Sequence, residues 1–189
     1  MIAIVQKENP VLRLKAKAVP VSKITSTEIQ NIIVKMKKAL ASQSDGVAIA
    51  APQIGESLRI FVVSGKIFED DFLEDRAERL AAKKGLAAKE TKSKLSDLVF
   101  INPVFVKKSR IKKDLPEGCL SVRWTYGKVP RSTQATVTAY DENGKTFTRG
   151  AGGLLAQIFQ HEIDHLDGIL FIDKAHSLED VPPPEMSKS

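Results

Sequence analysis

"LLAQIFQHEIDHL", residues 154–166, contains two of the three histidines of this chain, four positions apart. Four apolar residues, Leu154, Leu155, Ile158 and Phe159, recur in it at helical spacing. They predict an amphipathic helix that begins after the glycines at 150, 152 and 153 and stops at Gly168. On an α-helix, positions i and i+4 share one face about 6 Å apart along the axis. Both imidazoles can therefore reach a single ion, and the stretch predicts a helix that carries a metal site.

Length and composition indicate one ordinary globular domain. The chain has 189 residues, of which 42% are hydrophobic and 28% charged. We expect a cytoplasmic protein, because the first residues do not form a signal peptide, no apolar run has membrane length, and a single cysteine forms no internal disulfide. The net charge of +6 allows weak attraction to RNA, although a solvated basic surface explains such a moderate charge better.

The rest of the chain alternates between helix and strand signals. Residues 25–42 have apolar side chains at helical spacing, with Thr25 and Glu28 in the pattern of a capping box. Strands are expected at 58–63 and at 98–106, the latter bent or divided around Pro103, and a hairpin at 135–148 with its turn at Asn143–Gly144.

Two segments have a different composition. Residues 66–97 begin acidic and end basic, which suits a helix dipole, and we expect a charged, helical surface insertion there, with a partner-docking arm as the less favoured interpretation. Residues 175–189 include the sequence EDVPPPEMSKS, and we expect a flexible C-terminal tail. The remaining residues, 1–174, are expected to form a single catalytic domain that contains the insertion.

Three separated stretches carry residues suited to catalysis. In HEIDH a glutamate, Glu162, follows the first histidine, where a general base would lie; Cys119 in EGCLS offers a thiolate, and GVAIAAPQIG (46–55) allows close backbone approach to a ligand. Each feature has an ordinary alternative: histidines on a polar helix face, a buried or nucleophilic cysteine, and a tightly packed loop. Asp164 is expected to make a structural hydrogen bond.

Taken together, GVAIAAPQ, EGCLS and HEIDHLDG strongly resemble the motifs of the peptide deformylase family, whose members remove the formyl group from the N-terminal methionine of nascent chains. The resemblance extends to NPVLRLKAKAV at 9–19, INP at 101–103, VPR at 129–131 and GILFID at 168–173. It covers most of residues 8–64 and 98–174. Three motifs in the right order make the resemblance specific.

The resemblance implies an α+β fold, with small antiparallel sheets packed around a central helix that carries the HExxH motif. It implies that Cys119, His161 and His165 bind one divalent ion, Fe²⁺ in this family with Zn²⁺ or Ni²⁺ as substitutes. Glu162 would be the general base. The backbone N–H of Leu120 and the side chain of Gln53 would stabilise the oxyanion.

The implied substrate is an N-formyl-methionyl nascent peptide, and the ribosome surface is a further expected partner. The residues expected to contact substrate, with Gln157 at the edge of the methionine pocket, are Gly46, Val47, Ala48, Ile49, Leu115, Glu117, Gly118, Leu154 and Ile158. The sequence departs from the family pattern at Ala48, which replaces a glycine, and after EGCLSV, at Arg123, Trp124 and Tyr126. These departures affect the rim that contacts residues beyond the methionine.

Two other functions are compatible with parts of the sequence. An HExxH metallopeptidase would use the same glutamate, but it needs room on both sides of the scissile bond and usually lacks a cysteine ligand. An inactive relative that docks on a ribosome or RNA would use the net positive charge and the insertion. The cysteine motif argues against the first function, and the presence of both Glu162 and Gln53 argues against the second.

Overall fold

The computed structural model describes residues 2–69, 72 and 95–181. The helices and strands of this part are, in chain order, α1 (Thr27–Ala41), β1 (Ala48–Ala50), β2 (Ile60–Val63), β3 (Leu98–Lys108), β4 (Lys112–Cys119), β5 (Val122–Ser132), β6 (Gln134–Tyr140), β7 (Thr146–Gly152), α2 (Gly153–Leu166) and β8 (His176–Asp180). Short 3₁₀ turns occupy Pro10–Arg13, Val21–Lys23, Ala51–Ile54, Gly65–Phe68 and Phe171–Asp173. No helix within the described residues is long and apolar enough to cross a membrane.

The strands form two antiparallel sheets. The larger has the order β1-β2-β3-β6-β7 and the smaller the order β4-β5-β8. Helix α2 packs on β1, β2, β6 and β7 of the larger sheet and also contacts β5 of the smaller one. The helix with the HExxH motif therefore lies between small antiparallel sheets, and the expected α+β fold is confirmed.

The larger sheet is covered by a helix on each face. Along β2, Phe61 and Val63 pack in the cluster with α2, whereas Ile60 and Val62 pack in the cluster with α1. Successive side chains of a strand point to opposite faces, so a strand covered on both sides is a continuous apolar run. This two-sided packing explains why the sequence IFVV has no polar residue. The same packing holds α2 against the larger sheet, next to β1.

Several local predictions are confirmed, and one, the residue that caps α1, needs correction. Strand β3 is a single strand that bends at Asn102, which has a φ of 52° and exchanges two side-chain hydrogen bonds with the backbone of Val19. The hairpin turn contains Gly144 at a φ of 79°. Helix α1, however, is capped by the hydroxyl of Ser26, which accepts from the Ile29 N–H, and not by Thr25. Ser26 is the last extended residue before the helix, as a capping residue must be.

The insertion begins later than expected. Residues Gly65–Phe68 form a 3₁₀ turn, and Ile67, only 5% exposed, belongs to the core under α2. At the other end, Asp97 accepts a hydrogen bond from the Gly65 N–H, so the two ends of the segment meet. The expected helix falls on residues 70–94, which apart from Phe72 lie outside the described residues. That 1–174 is one catalytic domain stays a prediction.

The C-terminal region also differs from expectation. Residues 176–180, which the sequence analysis assigned to a flexible tail, form strand β8 and pair with β5 at Thr125, Tyr126 and Lys128. All five residues of β8 are exposed, so apolar periodicity gave no signal for this strand. Its stability comes from backbone pairing along an edge that β5 would otherwise present unpaired.

The aromatic cluster under α2 allows a test of the fold. Phe100 is fully buried, stacks on Phe61 at 4.5 Å between ring centroids and meets Phe159 edge-on at 5.2 Å. We expect Phe100→Ala to lower the free energy of unfolding by about 3–5 kcal/mol, because it leaves a cavity between sheet and helix. Urea denaturation measures this. Val104→Ala on the same strand, at a position 63% exposed, should change stability by no more than about 0.5 kcal/mol. Equal effects of the two substitutions would contradict this description of the core.

Candidate metal centre

The cysteine and the two motif histidines come together although 42 or more residues separate them in the chain. Cys119 is the last residue of β4, before the two-residue turn that leads to β5, and His161 and His165 lie on α2. The Sγ atom of Cys119 lies 3.2 Å from Nε2 of His165. One donor atom from each of the three side chains lies within 4.8 Å of the other two. The three residues expected to bind a metal are thus assembled.

The chemistry of these donors fits a divalent transition metal. One thiolate and two imidazoles form a three-ligand set that suits Fe²⁺, Zn²⁺ or Ni²⁺ and leaves a coordination position for water or substrate. His161 uses Nδ1 to contact the carboxylate of Glu117 at 3.0 Å, so its other ring nitrogen is available to an ion. Such a carboxylate partner is typical of metal-binding histidines.

Charge also favours the thiolate form of the cysteine. Burial raises the pKa of the Cys119 thiol, but the charges and hydrogen bonds of His165 and His161 outweigh burial and lower that pKa to about 5. Burial lowers the pKa of His161, whereas its hydrogen bonds with Cys119 and Glu117 raise it well above the ordinary value. The Cys119 thiolate and the protonated His161 therefore attract each other, and a bound cation would take over as the partner of the thiolate.

Glu162 lies in the same site but has no such partner. Its side chain lines the cavity at the metal centre and is buried, and among the described residues its Oε2 atom forms no hydrogen bond. Burial raises the pKa of Glu162 to about 7, against the opposing effect of the charges on His161 and His165. Nδ1 of His165 is likewise buried without a hydrogen bond. Buried polar atoms without partners are rare. Here they indicate that the cavity is a site for a polar ligand when the protein functions.

Gln53 lies next to Cys119 in the site. Its Oε1 accepts from the Ala50 N–H at 2.8 Å, which fixes the orientation of the amide. Its Nε2 then donates to Oγ of Ser121 at 3.2 Å and lies 3.5 Å from Sγ of Cys119. A donor in this position can approach an oxygen atom bound beside the sulfur. The sequence analysis did not assign a role to Ser121, although it belongs to the EGCLS motif.

Behind the histidines lies a buried chain of charges. Arg131 on β5, only 3% exposed, donates to both oxygens of Glu117 at 2.7 and 2.9 Å and to Asp164 at 2.6 Å. Lys174 donates to the other oxygen of Asp164. The structural hydrogen bond expected of Asp164 is therefore present. The role of Arg131 was missed, although its motif VPR was noticed, because sequence alone does not show that β5 turns this side chain towards α2.

These contacts change the role of Glu117. Burial raises its pKa, but hydrogen bonds from Arg131 and His161 outweigh burial and lower the pKa to about 2. Gln157 adds a third donor at 3.3 Å. Glu117 was expected to bind substrate, and it does border the cavity, but its oxygens are occupied by these three side chains. We describe it instead as a residue that positions His161.

Among the described residues, a cavity that opens to the surface contains the metal centre. Of the residues expected to contact substrate, those that line it are Gly46, Val47, Ala48, Glu117, Gly118, Leu120, Leu154, Gln157 and Ile158. Ile49 does not line it, because it alternates with Ala48 along β1 and packs fully buried against α1. Leu115 does not line it either, since it lies four residues before Cys119, roughly 13 Å away along β4.

The fold and the site together define an α+β protein with a candidate metal centre of one cysteine and two HExxH histidines. The sequence model of the polypeptide deformylase family matches residues 1–181. The chain belongs to the peptide deformylase family.

Individual relatives agree with this assignment. Peptide deformylase 1A, chloroplastic/mitochondrial, of Arabidopsis thaliana is 41% identical over 173 residues, which are 90% of this chain and 60% of that protein. Peptide deformylase of Desulforudis audaxviator is 37% identical, with 93% of this chain and 94% of the relative covered. The crystal structure of a peptide deformylase from Legionella pneumophila superposes with a TM-score of 0.74 at 34% identity, covering 94% of this chain and 88% of that one. This chain therefore spans nearly all of the bacterial relatives but about 60% of the length of the plant protein.

The position of Glu117 behind His161 predicts a specific defect. We expect Glu117→Gln to weaken the affinity for Zn²⁺ about 10–100-fold, because the neutral amide holds the ring of His161 less firmly. Competition with a chromophoric chelator measures this. Asp114→Asn, an exposed carboxylate on the same strand, is the matched control and should leave affinity unchanged. A folded Glu117→Gln protein with unaltered affinity would remove Glu117 from the metal centre.

Proposed function

We propose that this protein is a metal-dependent hydrolase that removes the formyl group from N-terminal formyl-methionine and releases formate. The observation that carries the proposal is the buried carboxylate of Glu162, whose Oε2 atom forms no hydrogen bond to any described residue and whose pKa burial raises to about 7, beside the donor atoms of Cys119, His161 and His165. Such a carboxylate is suited to take a proton from water and return it within one reaction. The family membership of the chain adds the reaction class.

Each residue of the site has a part in this reaction. Cys119, His161 and His165 would hold the divalent ion, which when bound polarises the formyl carbonyl and lowers the pKa of water. Glu162 would accept the proton from the attacking water and later deliver it to the departing amine. The Nε2 of Gln53 and the backbone N–H of Leu120 would donate to the oxygen atom on which negative charge develops.

The shape of the site favours a substrate with a small acyl group. The metal centre lies in a cavity bounded by Cys119, Gln53 and Leu120 on one side and by α2 on the other. A formyl group has only a hydrogen beyond its carbonyl carbon, so close walls admit it and exclude larger acyl groups. The methionine side chain would lie against Val47, Leu154 and Ile158, the apolar part of the lining.

Metal, partner and compartment are further parts of the proposal. We propose Fe²⁺ as the metal, with Zn²⁺ or Ni²⁺ as substitutes, since the donor set accepts all three. Nascent formylated peptides would be the partners, and contact with the ribosome surface is proposed only from the net charge of +6. A cytoplasmic location is proposed from the sequence, while the Arabidopsis relative is named for the chloroplast and mitochondrion.

The role of Glu162 can be separated from metal binding. We expect Glu162→Gln to retain about one metal ion per chain yet to lose deformylation by on the order of 10²-fold or more, because the amide accepts no proton. Metal analysis and formate release from an N-formyl-methionyl peptide measure the two effects. Glu142→Gln, at an exposed carboxylate paired with Lys37, serves as control. Loss of metal together with activity would assign Glu162 a ligand or folding role instead.

A second test compares substrates and metals. Protein purified without oxygen should contain Fe²⁺ and release formate from N-formyl-methionyl peptides, while the same peptides without formyl remain intact. Aeration should reduce activity, because Fe²⁺ and the Cys119 thiolate are both open to oxidation, and Zn²⁺ reconstitution should give an air-stable form. Cleavage of internal peptide bonds would favour the metallopeptidase alternative. No hydrolysis by any metal form would favour the docking relative.

A further inference from the structure

The rim of the cavity contains a bulge of three residues, Arg123, Trp124 and Thr125. In the hairpin of β4 and β5, Cys119 pairs with Val122 and the preceding Gly118 pairs with Tyr126, so these three residues have no partner on β4. All three border the same cavity as the metal centre. The bulge therefore places side chains at the mouth of the site that a regular hairpin would not place there.

The backbone of the bulge is unusual at Trp124. Its φ is 67°, in the left-handed region that a bulky side chain rarely adopts. Residues in such conformations persist only where the surrounding structure holds them, and they are concentrated at ligand-binding sites. The indole is 36% exposed, so a large apolar surface is presented to solvent at the edge of the cavity.

Four hydrogen bonds hold this conformation. The guanidinium of Arg123 donates to Asp45 at 2.6 Å and to Gln43 at 2.5 Å, which ties the bulge to the end of α1. Two further contacts come from the C-terminal region: the Val181 N–H donates to the Trp124 carbonyl at 2.7 Å, and the Thr125 hydroxyl donates to Asp180 at 2.8 Å. Strand β8, whose residues are all exposed, thus supports the bulge from its outer side.

The surface that the rim of the cavity offers to a ligand is mainly aromatic and not cationic. The guanidinium of Arg123 lies 5.9 Å from the indole ring of Trp124, and its charge is already engaged by Asp45. What remains for a ligand is the exposed part of the indole. An indole face favours apolar and aromatic side chains, and it offers no charge to an acidic one.

We propose that Trp124 is a specificity-determining residue that packs against an apolar or aromatic side chain in the second or third residue of the substrate peptide. Trp124 lies two residues beyond Val122, the partner of Cys119, within the bulge that borders the cavity. The apolar lining formed by Val47, Leu154 and Ile158 is assigned to the methionine side chain. The exposed indole is therefore left for the side chains that follow the methionine in the peptide. This inference rests on the proposed deformylase function.

Kinetics on matched peptides test it. We use N-formyl-Met-Ala-Ala amide and its variants with Phe or Asp at position two or three. Wild-type protein should prefer Phe over Asp at one of these positions by about 3–10-fold in kcat/KM, the range of an aromatic contact. Trp124→Ala should abolish this preference through KM, and Trp124→Phe should retain most of the preference. Asp180→Ala, which removes one support of the bulge, should weaken it partially, and the remote Val104→Ala should have no effect.

Fluorescence gives a second measurement that does not depend on turnover, because Trp124 is the only tryptophan of the chain. In the metal-loaded Glu162→Gln protein, the Phe peptide should shift or quench the emission, and the Asp peptide should do so only at higher concentration. Equal kcat/KM for all peptides in wild type, a preference that survives Trp124→Ala, or emission that responds to neither peptide would overturn the inference. Absence of formate from every peptide would instead refute the proposed function, while the fluorescence titration would still report on Trp124.

Discussion

The guanidinium of Arg131, buried between the carboxylates of Glu117 and Asp164, connects β4, β5 and α2. Arg131 comes from β5, Glu117 from β4 and Asp164 from α2, so one side chain joins the smaller sheet to the central helix. Removing one partner of a buried ion pair strongly destabilises a folded protein, whereas a network in which every buried charge is paired is tolerated. The position of Cys119 relative to His161 and His165 therefore depends on this ion pair network, since β4 and α2 carry the three donors.

The size of residues on β1 is a second constraint that follows from the same packing. Helix α2 approaches the edge of the larger sheet, where Ala48 and Ala50 face it and are almost fully buried. Larger side chains at these positions would push the helix, and with it both histidines, away from Cys119. The methyl group of Ala48, at a position where the family motif has glycine, is accommodated within the cavity lining.

The sequence predicted those features that repeat along the chain or that depend on residue type. Apolar periodicity predicted both helices, and His161, His165 and Cys119 were identified from spacing and motif before the structure brought them together. It did not predict β8, because an exposed edge strand held by backbone pairing has no apolar pattern. It also placed Ile49 and Leu115 in the cavity, because a motif match shows neither which face of a strand a side chain occupies, as for Ile49, nor how far the cavity extends along a strand, as for Leu115.

The two buried glutamates beside His161 show how environment separates structural from chemical roles. Glu117 accepts hydrogen bonds from Arg131, His161 and Gln157, and its pKa falls to about 2 although burial alone would raise it. Glu162 has burial without such donors, and its pKa rises to about 7. Two carboxyl groups of one site whose pKa values are driven apart are suited to different tasks. Glu117, ionised at neutral pH, is suited to holding a histidine in place, whereas Glu162 is suited to exchanging a proton near neutral pH.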